Sequence, residues 1–557
     1  MMTRNFSSHI ALAFGLAATG MASPALAQDR SSDGDDKEAS SRSSGGRAVT
    51  VQPYIEVSQV AIAELSPDND VVTYTQLAAG VDASVTGRNN GGSLSLRYEK
   101  NIGYSGNSLD SDTITGIARG YASIVPQALT VEAGALASRT RVDGNGAATS
   151  NPRNGDKSES QIYSAYAGPN LHTKAGDVEV NANYRIGYTR VESPNSLVPA
   201  PGAAPVDIFD DSVSQSAAVH LGTRPGEPLP IGVGIGAGWN QEDVSNLDQR
   251  VRDVHVRGDV QIPVSQSLAL VAGVGYEDVE VSSRDAVLDI NGDPVYGADG
   301  RLVTDTSQPR QLAYDVSGLI WDAGVVWRPS TRTSFEAHVG RRYDSTSYTG
   351  SLSYAPNKRS SLGISVYDTV SGFGNQLNTA LSNLPTEFNA SRNALSGDLN
   401  GCVTGTEGAA CLGGVLGSVR SSVFRSRGVS ANYSTQLGRL STGIGFGYDR
   451  RRFIASPGTV LGLANGVTDE SYYAAVFVSG NVDQHSTFTT NAYYNYFTSG
   501  FDLAGDVTAL GASAAYSRSL TSRLSARAAV AIDSIDSDVS NADYTAASAL
   551  VGLRFGF

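Results

Sequence analysis

The chain has 557 residues, a formal net charge of −14, 61 Gly, 25 Tyr and only 17% charged residues. An acidic surplus of that size excludes a nucleic-acid partner on electrostatic grounds. Past the N-terminus no apolar run reaches the roughly 18 residues of a spanning helix, and the six His are scattered without ligand spacing, so neither a helical membrane bundle nor a histidine metal site is expected.

Residues 1–27 carry Arg4, an apolar core from Ile10 to Met21, and then Ala25, Leu26 and Ala27. This is the pattern of a secretory signal peptide cleaved after Ala27. Residues 28–47 are rich in Ser, Gly and Asp and are expected to form a disordered acidic leader. From residue 48 to 557 strand follows strand. Val178, Val180, Ala182, Tyr184, Ile186 and Tyr188 alternate with Glu179, Asn181, Asn183 and Arg185. Val254, Val256, Val260 and Ile262 alternate with His255, Arg257, Asp259 and Gln261. Phe335, Ala337 and Val339 alternate with Arg332, Ser334, Glu336, His338 and Arg342, and Leu524, Ala526, Ala528, Val530 and Ile532 with Arg523, Ser525, Arg527 and Asp533. Period two marks β-strands. A sandwich core would not accept charges of both signs on so many strands, whereas a barrel with a wet lumen would. Arg332, Glu336, His338 and Arg342 are therefore candidate lumen-facing residues.

The predicted fold is all-β: an antiparallel up-and-down transmembrane barrel of about 22 strands, with 20 as the alternative and no plug domain. Starts are expected near residues 48, 71, 92, 110, 128, 159, 178, 212, 230, 247 and 267, then 311, 332, 346, 359, 422, 439, 469, 486, 505, 523 and 541. The long connections 144–158, 194–211, 284–310 and 371–421 follow odd-numbered strands, so they share one rim. Turns bearing Pro126, Pro225, Pro263, Pro329 and Pro356 follow even-numbered strands and share the other. Outer-membrane barrels sort their loops in this way, with long loops outside and tight turns in the periplasm. Pro53 and Pro169 fall inside predicted strands, which argues for edges or bulges there. The strand near 311 loses phase, since Leu312 and Asp322 would share a face. The last stretch, 541–557, has Ala547, Ala549, Val551, Leu553, Phe555 and Phe557 at alternate positions. It resembles the C-terminal signal of bacterial outer-membrane barrels, which is read by the barrel-assembly machinery. Residues Val551, Leu553, Phe555 and Phe557 carry that resemblance.

Several motifs suggest other chemistry. Gly232, Gly234 and Gly236 approximate a dinucleotide fingerprint, but Ala237 stands at the third Gly and the alternation continues a strand. Asp289, Asn291 and Asp293 suggest a calcium loop, yet the Gly and Glu spacing of an EF-hand is missing. No Ser/His/Asp set sits at one rim, so no catalytic residue, cofactor or metal is assigned. Tyr343, Tyr348, Tyr354, Tyr367, Tyr472, Tyr473, Tyr493, Tyr494, Tyr496 and Phe497 lie near strand ends, where an interfacial aromatic girdle is expected. Cys402 and Cys411 are close enough to close a small disulfide ring in an oxidising compartment. The long segment around them is either a surface loop or one that folds inward and constricts the lumen.

Residues 321–370 resemble a segment of the outer-membrane proteins associated with PEP-CTERM (exosortase) exopolysaccharide systems. The likeness rests on Trp327 to Pro329, Thr331 to Thr333, Gly340-Arg341-Arg342-Tyr343 and Ser347-Tyr348. The stretches VQPYIEVSQV and SLSLRYEKNIGYSG are similar to that family's opening, with the usual Asp-Asn pair displaced to Asp68-Asn69-Asp70. The resemblance implies a non-enzymatic barrel in the outer membrane of a Gram-negative bacterium. Its partners would be membrane lipid, the assembly machinery, and polysaccharide or periplasmic export components. The expected role is an export conduit or surface component. A general porin or uptake channel, and an adhesive or structural barrel displaying its loops, stand beside it. A TonB-dependent receptor would also have 22 strands but needs a plug domain before the barrel, and here strands begin soon after the leader.

Overall fold

The computed structural model describes residues 48–67, 69–104, 111–142, 148–149, 159–192, 211–297, 300–405, 408–500, 505–538 and 543–557. The expected signal peptide and leader, and nearly all of 144–158 and 194–211, lie outside them.

Twenty-two long strands, with the two-residue strand Ala148–Thr149, make one antiparallel sheet in sequence order. The last strand, Tyr544–Gly556, pairs with the first, Ala48–Ser66, from Tyr54↔Gly556 to Ala63↔Ala547 and beyond. The sheet therefore closes into a ring in which every long strand is paired on both sides along much of its length, as lipid demands of backbone N–H and C=O groups. Each strand begins within about three residues of its expected start. Tyr184, Ile186, Val256, Ile262, Val530, Ile532, Val551 and Leu553 are exposed on the outer face, while the facing residues between them are polar or small.

The connections sort as the parity rule requires. On one rim lie 245–248, 284–310, 343–344, 372–423 and 454–467; on the other lie 126–128, 176–177, 264–267, 331–332, 358–359 and 438–439. Both prolines sit within strands. Pro53 pairs with Val81, and the ladder to the closing strand stops beside it at Tyr54. Pro169 pairs with Val131, and on its other side pairing lapses between Ala167↔Ile186 and Asn170↔Asn183, because Pro has no N–H to donate. The phase slip near 311 is a bulge. Val281 pairs with Tyr314 and Ser282 with Leu312, leaving Ala313 as the extra residue. Leu312 thereby turns outward while Tyr314 packs inside.

In two places neighbouring strands part before they reach the long-loop rim. Pairing of Ser111–Val125 with Leu129–Val142 ends at Gly116↔Ala137. Pairing of Ser345–Asn357 with Ser360–Ser371 ends at Gly350↔Val366, so 345–349 and 367–371 run on without a shared ladder.

The largest apolar cluster lies inside the ring. Phe373, Leu377, Leu381, Leu384, Phe388, Leu399, Val403, Leu412 and Val419 come from the segment after Ser371, and Ile117, Leu136, Ile162, Tyr166 and Val191 from the wall. The stretch 371–421 starts from the outer rim as expected, and of its two expected courses, surface loop or inward fold, it takes the second and turns into the barrel.

Candidate functional site

The site is the lumen and the segment 372–423 that enters it. Its first element is the helix Phe373–Ser382. Phe373, Leu377 and Leu381 recur every four residues and make one apolar stripe, which packs on the wall. The helix has no side-chain cap of its own; Glu242 of the wall supplies one, accepting from Gly372 N–H at 2.7 Å and Asn375 N–H at 3.1 Å. A carboxylate at that end also meets the positive end of the helix dipole. Asn378 fixes the other polar face, accepting from Ser164 Oγ at 2.8 Å and donating to Ser214 Oγ at 3.0 Å.

Beyond the helix the chain forms a small sheet of Phe388–Arg392, Leu399–Gly405 and Gly408–Cys411. Phe388 N–H donates to Ser93 Oγ at 2.9 Å, and Ser93 is three residues from the start of its strand at the short-turn rim. The segment thus reaches deep into the barrel.

The turn 393–398 fits a polar socket in the wall. Asn393 Oδ1 accepts from Leu395 N–H at 2.8 Å, shaping the turn. Gly397, at φ +68, presses against Arg97: a Cβ there would stand 2.5 Å from Arg97 Nε. Both the left-handed backbone and the close approach require glycine. Asp398 takes Arg139 two-pronged, at 3.1 Å to Nε and 2.8 Å to Nη2. Arg527 donates to Ala394 O at 2.8 Å and Gln76 to Leu395 O at 3.1 Å. Around them Arg97 pairs with Glu56 and Glu99, both at 3.1 Å, and Arg527 with Glu56 at 3.3 Å. Leu395 fills the apolar part with Val60, Tyr74 and Leu550. Near the stem, Arg451 ties Asp449 at 2.7 Å to Gln376 Oε1 at 2.9 Å.

Cys402 and Cys411 are joined by a disulfide across the hairpin of the small sheet, beside Gly445 of the wall. The contacts that dock the turn are elsewhere, at Asp398, Ala394 and Leu395.

On another arc of the wall a polar strip runs from strand to strand. Glu336 meets His338 at 2.9 Å, His338 meets Asp322 at 3.0 Å, and Arg257 meets Asp322 at 2.6 Å and Asp259 at 3.2 Å. Asp259 lies 3.1 Å from His220. These side chains lie flat across glycines. A Cβ at Gly234 would stand 2.7 Å from His220, one at Gly324 2.5 Å from His338, and one at Gly273 would strike Arg257. The Gly alternation read from Gly232 to Gly238 therefore makes room for His220 and His255 of the neighbouring strands. Of the four lumen candidates, Glu336 and His338 belong to this strip. Arg342 binds Glu277 at 3.0 Å and Asp253 at 2.9 Å higher up. Arg332 sits in a turn at the opposite rim and donates to Pro356 O. The sequence reading missed the socket residues Arg97, Arg139, Asp398 and Arg527.

The aromatics divide between the two faces. Tyr348, Tyr354 and Tyr494 are exposed outside, and Tyr448, Tyr472 and Tyr496 stack along three strands with centroids 4.9 and 6.0 Å apart. Tyr343, Tyr473 and Phe497 are buried within, and Tyr493 donates to Asp533. The girdle expected from all ten is thus only the outward half. In the 284–310 excursion Asp289 accepts the N–H groups of Asp293 and Asn291, which hold its carboxyl below the usual range and shape a turn.

No protein-family model matches the sequence, and neither does any curated protein. Among solved structures the chain is similar to the FrpB iron transporter of Neisseria meningitidis, at 10% identity over 91% of this chain and 82% of that one, with a TM-score of 0.39. It is similar to the ferric-catecholate import receptor Fiu of E. coli K12, at 10% identity over 90% and 81%, with a TM-score of 0.43. It is also similar to the siderophore receptor PirA of Acinetobacter baumannii, at 8% identity over 92% and 81%, with a TM-score of 0.38. All three are described as a transporter or receptors, and none of the three as an export component, which corrects the expected role in exopolysaccharide export. The chain is an outer-membrane β-barrel of a Gram-negative bacterium.

Proposed function

We propose that the protein is an uptake channel, not an enzyme, whose lumen is closed by its own segment 372–423. The observation that carries this reading is the way the segment is held. It joins the wall at both ends and docks its turn 393–398 through side chains that can let go one by one. In this reading the stopper is part of the barrel strand order and not a separate plug domain. The polar strip from His220 to Glu336 would line the route of a hydrated solute once the turn leaves its socket. Insertion by the barrel-assembly machinery through Val551, Leu553, Phe555 and Phe557 belongs to the same proposal.

Deletion of 375–416 tests it. The barrel should still show heat-modifiable migration, and its single-channel conductance in a planar bilayer should rise severalfold. A folded deletion variant with the parent's conductance would reject the stopper.

A further inference from the structure

The two places where the wall parts are closed differently. At the first, Gln161 donates to Ile114 O at 3.1 Å, Arg392 approaches Thr115 O at 3.4 Å, and the docked turn backs the opening from inside. At the second, between 345–349 and 367–371, closure comes from two arginines of the next strand, Phe424–Leu437. Arg427 donates to Thr346 O and to Ser345 Oγ, both at 2.9 Å. Arg425 reaches Ser345 Oγ at 2.6 Å and Tyr343 O at 3.3 Å. Asp368 grips both, at 2.8 Å to Arg425 and 3.2 Å to Arg427. A guanidinium thus occupies a carbonyl that a ladder N–H takes elsewhere in the ring.

The strands also overlap here. Val370 has the parity of outward Val366, yet it is buried with Tyr343, Val251, Val279, Val281 and Val423, which belong to the inside. The top of Ser360–Ser371 has slid inward past the tip of the hairpin formed by Thr333–Arg342 and Ser345–Asn357. The outer surface beside the overlap is apolar, with Leu319, Trp321, Val339, Tyr348 and Val366 exposed. On the lumen side of the same hairpin lie Glu336 and His338 of the polar strip.

We propose that the wall opens sideways along this overlap and that the molecule passed is an amphiphile. Its polar head follows the strip inside while its acyl chain leaves between Ser345–Thr349 and Tyr367–Ser371 into the outer leaflet. Arg425, Arg427 and Asp368 are the closure. The inference rests on the uptake reading and adds a cargo class and an exit to it.

The test places a thiol under the overlap, by V370C and in parallel by S347C, in proteoliposomes of the full chain. Each is challenged with a maleimide carried on a phospholipid tail and with a water-soluble maleimide, with and without R425A/R427A. Heat-modifiable migration checks folding, and R425K/R427K retains the charges. The expected result is labelling by the lipid-borne reagent that rises at least severalfold in R425A/R427A and returns towards the parent rate in the Lys pair. Labelling by the soluble reagent alone, or equal acceleration of both reagents, overturns the amphiphile route. No lipid-borne labelling in any background overturns the opening itself. Swelling of the same vesicles in sugar reads the uptake channel separately, so failure of one reading is not failure of the other.

Discussion

Arg139 and Asp398, 259 residues apart in sequence, form a two-pronged ion pair whose side chains are 0% and 1% exposed. Their closest approach, Nη2 to Oδ2, is 2.8 Å. The pair joins the wall to the turn that enters the lumen. A buried pair adds little over an apolar substitute of similar volume, but removing one partner costs about 3–5 kcal/mol because the other charge stays buried. The cost falls only on the docked state, since the undocked turn gives both groups to water. D398N should therefore raise the open probability in single-channel recordings by at least about tenfold, on that scale of energies. R139M/D398L should return it towards the parent value. A D398N channel that opens no more often than the parent would show that the pair does not hold the turn.

Glu242 controls the stem of the same segment. It accepts the Gly372 and Asn375 N–H groups at the start of the helix Phe373–Ser382. Both carboxylate oxygens accept, so E242Q keeps one acceptor, turns an NH2 group against the other N–H and removes the charge, a loss of roughly 1–3 kcal/mol for the buried donor left unpaired, beside about 0.3–1 kcal/mol for the charge at the helix N-terminus. Amide hydrogen exchange at Phe373 to Gln376 should quicken by at least about fivefold, with the barrel strands unchanged. Exchange quickened equally throughout the wall would mean that Glu242 supports the barrel and not the helix.

The rims make a prediction about sidedness. The 284–310 excursion is stiffened by the bridges Ala286↔Thr304 and Tyr296↔Leu302 and presents Ile290 fully to solvent. A tag after Ile290 should be labelled on intact cells, and a tag in the turn 264–267 only after permeabilisation. Labelling of both on intact cells would end the assignment of rims.

Much of the ring was legible because a strand in a barrel wall writes its two faces into alternate residues and its ends into Pro and Gly. The alternation also carried information that lumping the aromatics discarded. Tyr472 and Tyr473 are neighbours, so one must face out and the other in, and Tyr473 is buried. The in-folding of 372–423 was not legible in the same way. It depends on contacts such as Asp398 with Arg139 and Phe388 with Ser93, which no local period encodes. One signal was present: Leu377, Leu381, Leu384, Phe388, Leu399, Val403, Leu412 and Val419 are more large apolar side chains than a solvated loop needs. The overlap at Val370 was hidden because its parity is that of an outward residue.

The last residue separates folding from delivery. Phe557 is 68% exposed, its ring meets Phe555 edge-on at 5.2 Å, and its N–H donates to Pro53 O at 3.2 Å. The strand before it is paired on both sides without it, through Leu524↔Phe555 and Tyr54↔Gly556. Deleting Phe557 therefore removes one terminal hydrogen bond and one exposed ring contact, about 1–2 kcal/mol from a large sheet. Protein refolded into detergent should keep its heat-modifiable migration and unfold within a few degrees of the parent. In cells the same deletion should lower the amount in the outer membrane severalfold, if the proposed role of Phe557 in insertion holds. Parent levels in the membrane would reject the signal. Equal losses in detergent and in cells would assign Phe557 to stability instead.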